Sequence, residues 1–232
     1  MNKMGEMIRV LLADDHPAMR AGIRAILENA PDIKVVGEAN NGAEVEKLVI
    51  ELRPQVLLLD LRMPNTRPAE LVDCLRSHCP ETAVLILTAH NLDAYLSAVV
   101  RAGAAGFVLK EEAPETIVTT VRRAARGERL FSDWQLKRAQ QWHQEVGELW
   151  ESLTDREQEV LERLAEGLNT AAIAELLTVT PKTVEYHVTN ILGKLCLTSR
   201  LEIMNWVHTH WPDGLPGGKQ GRQEKFQLNL PH

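Results

Sequence analysis

The stretch IRVLLADD, residues 8–15, establishes the fold class of the first half of the chain. Six mostly apolar residues lead directly into two carboxylates, as in a strand that is buried on both faces and ends at the edge of a parallel sheet. Helical patterns separate this run from four similar ones, at residues 33–36, 56–59, 84–87 and 107–109. This alternation predicts an α/β domain with a doubly wound, five-stranded parallel sheet of flavodoxin-like type.

The composition of the 232-residue chain is that of an ordinary globular protein with one or two domains. Hydrophobic residues make up 44% and charged residues 25%, which excludes wholesale disorder, and the apolar runs are too short to span a membrane. The three cysteines fit neither a disulfide framework nor a zinc motif, and the N-terminus lacks a signal-peptide pattern. We therefore predict a cytoplasmic protein that has no membrane partner.

The pattern changes after residue 126 and divides the chain into four predicted segments. Residues 1–126 form the α/β domain, and residues 127–150 form a polar, helical linker. Residues 151–211 form a small all-α domain, and residues 212–232, rich in glycine, are predicted to be disordered. Three linker tryptophans, eight residues apart, are expected near one packed helical face: Trp134, Trp142 and Trp150.

Capping signals mark the helices of the second domain. Thr154 and Glu157 match a capping box, and Asn169 is a good cap for a second, short helix. Thr180 and Pro181 then begin a third helix, since proline is tolerated at the first helical position. The tight turn between the second and third helices outlines a helix-turn-helix, whose second helix can enter the major groove of DNA.

One face of the third helix carries groups suited to double-stranded DNA. Lys182 and Thr183, together with the helix N-terminus, are predicted to bind phosphates. Glu185 can accept a hydrogen bond from cytosine, but phosphates repel it. Residues 151–211 carry five basic and nine acidic side chains, so we expect modest affinity that depends on dimerisation. The candidate DNA-contacting residues are Lys182, Thr183, Glu185, Tyr186, Thr189 and Asn190.

Polar residues also follow four of the predicted strands, and the carboxyl ends of parallel strands share one edge of the sheet. They are Asp14, Asp15, Asp60, Thr88 and Lys110. Clustered carboxylates repel one another unless a cation neutralises them, and oxygen ligands suit Mg²⁺. An aspartate can also accept a phosphoryl group as a nucleophile. The sequence therefore predicts a magnesium-dependent phosphoryl-transfer site at this edge.

The first half of the chain, over about residues 7–126, resembles the receiver domain of bacterial two-component response regulators. The matching motifs are LADDHP (12–17), LDLRMP (59–64), LTA (87–89) and GAAGFVLK (103–110). One departure is Pro68, which stands where the family usually has glycine and predicts a stiffer loop.

This resemblance implies that Asp60 is the phosphoacceptor of a sensor histidine kinase. It also implies that Asp15, Asp60 and the backbone carbonyl of Arg62 ligate Mg²⁺, while Asp14 acts mostly through water.

The same resemblance implies which groups hold the phosphoryl oxygens: the side chains of Thr88 and Lys110 and the backbone amides of Arg62 and Ala89. Thr88 and Phe107 match the family's switch pair, in which the hydroxyl moves toward the phosphoryl group and the ring follows inward.

The second half resembles the LuxR-type DNA-binding domain, although Cys196 stands where glycine commonly follows Lys194-Leu195. The matching motifs are LTDRE (153–157), LAEGLN (164–169), IA (173–174), TVEYHV (183–188), ILGKL (191–195) and SR (199–200). Joined to a receiver, this domain implies a response regulator of the NarL/FixJ type. Phosphorylation of Asp60 would then switch homodimerisation and sequence-specific DNA binding, and so regulate transcription.

Two other functions fit parts of the pattern. An aspartyl-phosphate enzyme such as a phosphohydrolase would use the same carboxylates, but the segments between strands are too short to supply a substrate-binding cap. Alternatively, the acidic helical domain binds a protein and contacts DNA weakly or not at all.

Overall fold

Five short strands form one parallel sheet in the computed structural model, which describes residues 7–63, 66, 68–89 and 92–211. The strands are β1 (Ile8–Ala13), β2 (Ile33–Ala39), β3 (Val56–Leu59), β4 (Ala83–Thr88) and β5 (Gly106–Leu109). Their order is β2-β1-β3-β4-β5, so β1 lies between the two strands that follow it in sequence. The predicted doubly wound sheet is confirmed.

Five helices cover the two faces of the sheet: α1 (Pro17–Glu28), α2 (Gly42–Leu52), α3 (Pro68–His78), α4 (Asp93–Ala102) and α5 (Pro114–Ala125). One apolar cluster joins α1 and α5 to the sheet, and a second joins α2, α3 and α4. Pro68 is the first residue of α3. The stiffer loop predicted from Pro68 concerns the backbone of Arg67, and Arg67 lies outside the described residues.

Strand β2 extends three residues beyond the predicted 33–36. It is an edge strand, so polar side chains are tolerated where a central strand would need apolar ones. The carboxylate of Glu38 in this extension accepts a hydrogen bond from Arg20 Nε at 2.8 Å, which explains how a charged residue fits there.

The chain divides into two compact units between Ala139 and Gln140. The limits predicted from sequence for the first domain, the linker and the second domain remain predictions, and the predicted disordered tail lies outside the described residues. None of the helices that the structure describes is both long and apolar enough to cross a membrane.

The predicted linker is largely helical but is not one continuous α-helix. It contains α6 (Asp133–Trp142), a π-helical turn (His143–Gly147) and α7 (Glu148–Glu151). A Cβ on Gly147 would lie 2.5 Å from His143 Nδ1, so a larger residue there would force the His143 side chain to move. A π-turn adds a residue to the helical repeat and therefore changes which side chains share a face.

The prediction that the three linker tryptophans lie near one packed face is wrong for Trp134. Its ring is 59% exposed, and the Arg138 guanidinium lies 4.3 Å from the ring centroid. Eight residues of a regular α-helix turn about 80° past two full turns, so this spacing alone does not align the rings. The π-turn lies between Trp142 and Trp150, and both of these rings contact Trp211, at 5.5 and 5.3 Å between centroids.

Four helices pack around one apolar cluster in the second unit: α8 (Asp155–Ala165), α9 (Thr170–Leu176), α10 (Pro181–Lys194) and α11 (Arg200–His210). The predicted caps are present, since Thr154 and Glu157 form a capping box and the side chains of Asn169 and Thr180 cap α9 and α10.

Three of the turns that the structure describes in this unit use the left-handed backbone region, at Gly167, Thr178 and Cys196. Gly167 ends the turn after α8 with φ +80°, as its position predicts. Cys196, after α10, has φ +55° although it carries a Cβ. For a residue other than glycine this conformation costs about 1–2 kcal/mol.

Replacing Cys196 with glycine is expected to stabilise the helical unit by about 1 kcal/mol, because glycine adopts positive φ without steric cost. Urea denaturation followed by tryptophan fluorescence measures this, since four of the five tryptophans lie in the unit: Trp142, Trp150, Trp206 and Trp211. Cys196→Ala is the control, because it removes the exposed thiol but keeps the Cβ. An equal gain in both variants would contradict the backbone explanation.

Candidate functional site

The acidic residues lie where β1 and β3 end, beside each other in the sheet. Because β2 and β3 lie on opposite sides of β1, this is the point at which strand order reverses and where open parallel sheets bind ligands. The backbone amides of Asp14 and Asp60 donate to Ala39 and Ala13 carbonyls, which continue the strand pairing into the site. Asp14 is 1% and Asp60 4% exposed, so the sheet holds both carboxylates below the surface.

Lys110, directly after β5, places its ammonium between these two carboxylates. Its Nζ lies 2.6 Å from Asp14 Oδ2 and 2.9 Å from Asp60 Oδ2. Its backbone amide donates to the Thr88 carbonyl at 2.8 Å, which fixes the start of the side chain next to β4. The strand order alone brings the lysine to the acids, although 50 residues separate it from Asp60.

The environment keeps Lys110 charged. Burial lowers the pKa of Lys110, but the contacts with Asp14 and Asp60 raise it by more, so the pKa lies above its ordinary value of 10.5. The ammonium therefore neutralises part of the charge of the acid cluster throughout the physiological pH range.

Residues near the start of α1 complete the acidic side of the site. The backbone amide of His16 donates to Asp14 Oδ1 at 2.7 Å, and His16 Nδ1 lies 2.7 Å from Asp15 Oδ1. Arg20 Nη1 donates to the Asp14 carbonyl at 2.6 Å. Arg20 was missed in the sequence analysis because helical periodicity assigns it to a face of α1 without identifying what that face contacts.

The donor set suits a hard cation. Asp14, Asp15, His16 and Asp60 each place one potential ligand atom within 4.8 Å of the others. Three of these ligands are carboxylate oxygens, which Mg²⁺ prefers to nitrogen. The residues present therefore fit a magnesium ion, whereas the side chain of His16 is 70% exposed and belongs to the rim.

The remaining predicted receiver residues lie on or shortly after strands β3, β4 and β5. Thr88 is fully buried at the end of β4, and Ala89, the next residue, is exposed. Arg62, two residues beyond Asp60, is also exposed. Phe107 on β5 is 5% exposed and belongs to the apolar cluster between the sheet and α4.

The predicted DNA-contacting residues lie on α10, whose opposite face enters the apolar cluster through Val184, Val188 and Ile191. Lys182, Glu185, Tyr186 and Thr189 are exposed, and Thr183 and Asn190 are partly buried.

Two of these hydroxyls already have partners within the helix. Thr183 Oγ1 lies 2.9 Å from Thr180 Oγ1, and Thr189 Oγ1 donates to the Glu185 carbonyl at 3.0 Å. Tyr186 is 63% exposed and presents a large aromatic ring on this face.

An ion pair between the buried Glu157 and the partly exposed Lys194 fixes the end of α10 against α8. Lys194 Nζ donates to Glu157 Oε2 at 2.7 Å and to the Ser152 carbonyl at 2.8 Å. Glu157 also accepts a hydrogen bond from the Thr154 amide at 2.8 Å. Burial raises the pKa of Glu157, but the bonds from Lys194 and Thr154 outweigh it, so the pKa lies below the ordinary 4.5.

Comparison with known proteins identifies both units. Residues 10–122 match the response regulator receiver domain, and residues 151–207 match the luxR family of bacterial regulatory proteins. The transcriptional regulatory protein YxjL of Bacillus subtilis is 39% identical over 202 residues, covering 84% of this chain and 91% of YxjL. The nitrate/nitrite response regulator NarL of Escherichia coli K12 is 35% identical over 212 residues, covering 88% of this chain and 96% of NarL.

A solved structure of a protein bound to promoter DNA is also similar to this chain. RcsB of Salmonella enterica serovar Typhimurium, bound to the promoter rprA in the presence of the phosphomimetic BeF₃⁻, is 28% identical with a TM-score of 0.55. The match covers 87% of this chain and 98% of that one.

Replacing Glu157 with glutamine is expected to lower the unfolding free energy of the helical unit by about 2 kcal/mol near neutral pH. Glutamine still caps α8 but leaves Lys194 without its counter-ion. Because the folded pKa is depressed, this stabilisation is present above pH 4.5 and is lost as the pH falls through the folded pKa.

Urea denaturation at neutral and acidic pH measures the difference, and the exposed Glu175→Gln is the control. A deficit of Glu157→Gln that persists undiminished in acid would contradict this account.

Proposed function

This chain belongs to the two-component response regulators of the NarL/LuxR family, and from this premise we propose that Asp60 accepts a phosphoryl group from a sensor histidine kinase. The family membership gives a receiver domain joined to a luxR-type DNA-binding domain, in a regulator rather than a dedicated enzyme. The observation that carries the proposal is a buried aspartate at the switch point of the sheet, held by Lys110 and flanked by Asp14 and Asp15.

The proposed transfer is a substitution at phosphorus. A carboxylate oxygen of Asp60 forms the new bond to phosphorus as the bond to the donor's histidine nitrogen breaks, and that nitrogen keeps the electron pair. Lys110 supplies positive charge next to the oxygen that attacks, and its ammonium can follow the phosphoryl oxygens as they arrive. Thr88 and the amides of Arg62 and Ala89 bind the remaining oxygens.

Mg²⁺ would be held by Asp15, Asp60 and the Arg62 carbonyl, with Asp14 contacting it mostly through water. Bound there, the ion supplies positive charge that offsets the charge of the phosphoryl group.

The output is regulated binding to double-stranded DNA. Phosphorylation draws Thr88 toward the phosphoryl group, Phe107 moves further inward, and the protein forms a homodimer. A dimer doubles the contacts of α10 with DNA, which matters in a domain that carries more acidic than basic residues. Access to both a kinase and DNA requires the cytoplasmic location predicted from the sequence.

Incubation with acetyl phosphate and Mg²⁺ is expected to add one phosphoryl group to the wild-type protein and none to Asp60→Asn. Intact mass measures the adduct, and a chelator should prevent it, since the carboxylates then lack a cation. Asp73→Asn, which alters an exposed acid on α3, is the matched control and should accept the group normally. An adduct on Asp60→Asn equal to that of the wild type would refute the assignment.

Replacing Lys182 with alanine is expected to weaken binding to all DNA sequences and to reduce the salt slope by about 1, because one phosphate contact is lost. Glu185→Gln should strengthen binding, since it removes a charge that phosphates repel. Fluorescence anisotropy with the DNA duplex upstream of the protein's own gene measures both effects. Lys137→Ala, at an exposed position of α6, is the control.

If the phosphorylated wild type fails to bind DNA at low salt, the alternative function is favoured. The helical domain would then act as a protein-interaction module under receiver control.

A further inference from the structure

Ten residues of the linker, 130–139, lie against β5, the last strand of the sheet. We call residues 130–139 the strap. The Leu130 amide donates to the Ala105 carbonyl at 2.7 Å, and a Cβ on Gly106 would lie 2.9 Å from Leu130 Cβ. Glycine at the start of β5 therefore permits the close approach of the strap. The last residue of the strap, Ala139, is buried in the apolar cluster that contains Phe107.

Gln135 connects the start of α6 to β5. Its side-chain Oε1 accepts a hydrogen bond from the backbone amide of Ser132 at 2.8 Å. The backbone amide of Gln135 in turn donates to Ser132 Oγ at 3.2 Å, so the two residues form a reciprocal cap. Its Nε2 donates to the Phe107 carbonyl at 3.4 Å. Glutamate at position 135 would cap the helix equally well but has no donor for that carbonyl.

Arg138 attaches the strap to a second receiver element. Its guanidinium forms an ion pair with Asp93, the first residue of α4, and also lies over the ring of Trp134. The strap is thus held by β5 through Gln135 and by α4 through Arg138, and α6 continues along the chain into the second unit.

We propose that Gln135 is a positioning residue that transmits the movement of Phe107 to the linker, so that phosphorylation of Asp60 loosens the strap. This inference rests on the proposed function, because the inward movement of the Phe107 ring is the input. Gln135 binds the backbone carbonyl of Phe107, so the coupling requires that the ring displaces the β5 backbone that carries it. In the structure Lys110 Nζ donates a hydrogen bond to Asp60 Oδ2 at 2.9 Å. At 3.4 Å the bond between Gln135 and Phe107 is close to the limit of a hydrogen bond, so a displacement of a few tenths of an ångström breaks it.

The loosened strap would change the linker rather than the recognition helix itself. Breaking the Gln135 bond leaves the Ser132 cap intact, so α6 persists as a helix while its hold on β5 weakens. The signal therefore passes to the segment that joins the units without the unfolding of α6.

Hydrogen exchange of the full-length protein tests this coupling in the amides of residues 132–139, with and without acetyl phosphate and Mg²⁺. Phosphorylation of the wild type is expected to accelerate exchange about two- to tenfold, as the loss of one hydrogen bond implies. In unmodified Gln135→Glu the exchange should already be faster by a similar factor, and phosphorylation should add little. Gln140→Glu places the same charge at an exposed position of α6 and should behave like the wild type.

Intact mass of each sample separates the two hypotheses. If the wild type gains its phosphoryl group but exchange of the strap stays constant or slows, the coupling is overturned and the proposed function stands. If Gln135→Glu responds to phosphorylation as fully as the wild type, Gln135 does not transmit the signal. If no protein gains the group, the proposed function fails first and the coupling loses its input. A purely structural role of Gln135 would raise basal exchange without removing the response to phosphorylation.

Discussion

The ammonium of Lys110 between two buried carboxylates is the interaction on which the receiver site depends. Asp14 and Asp60 have little access to water, and their mutual repulsion would oppose folding unless a cation stood between them. The sheet meets this requirement by ending three strands at one edge, two with acids and one with lysine. The same charges make the site responsive, because a phosphoryl group on Asp60 would redistribute the contacts of Lys110. Under the proposed function, stability and signalling use one set of charges.

The helical unit is organised by its caps and by one partly buried ion pair rather than by long apolar helices. Side-chain caps begin α8, α9 and α10, and the pair between Glu157 and Lys194 fixes the C-terminal end of α10. With both ends of α10 anchored, its exposed face is presented in one orientation. The surplus of acidic side chains in this unit disfavours non-specific attraction to DNA, so the proposed dimerisation would have a large effect by doubling the contacts.

The linker residues on either side of the unit boundary perform different tasks. The strap attaches to β5 and α4, while the π-turn directs Trp142 and Trp150 toward Trp211 within the second unit. An irregular helix is suited to this position because its two ends must satisfy two unrelated packing surfaces. A regular α-helix would place the two tryptophans about 80° apart, and the aromatic cluster would lose one of its members.

The sequence determined the strand–helix alternation, the helix caps and the convergence of acids and lysine, because each follows from local pattern or from the rule that parallel strands share an edge. It could not reveal that Arg20 binds the Asp14 carbonyl, that Trp134 lies in solvent, or that Gln135 reaches Phe107. These facts depend on which residues distant in sequence become neighbours. Such contacts are selected by packing of the whole unit, which leaves no periodic trace in the sequence.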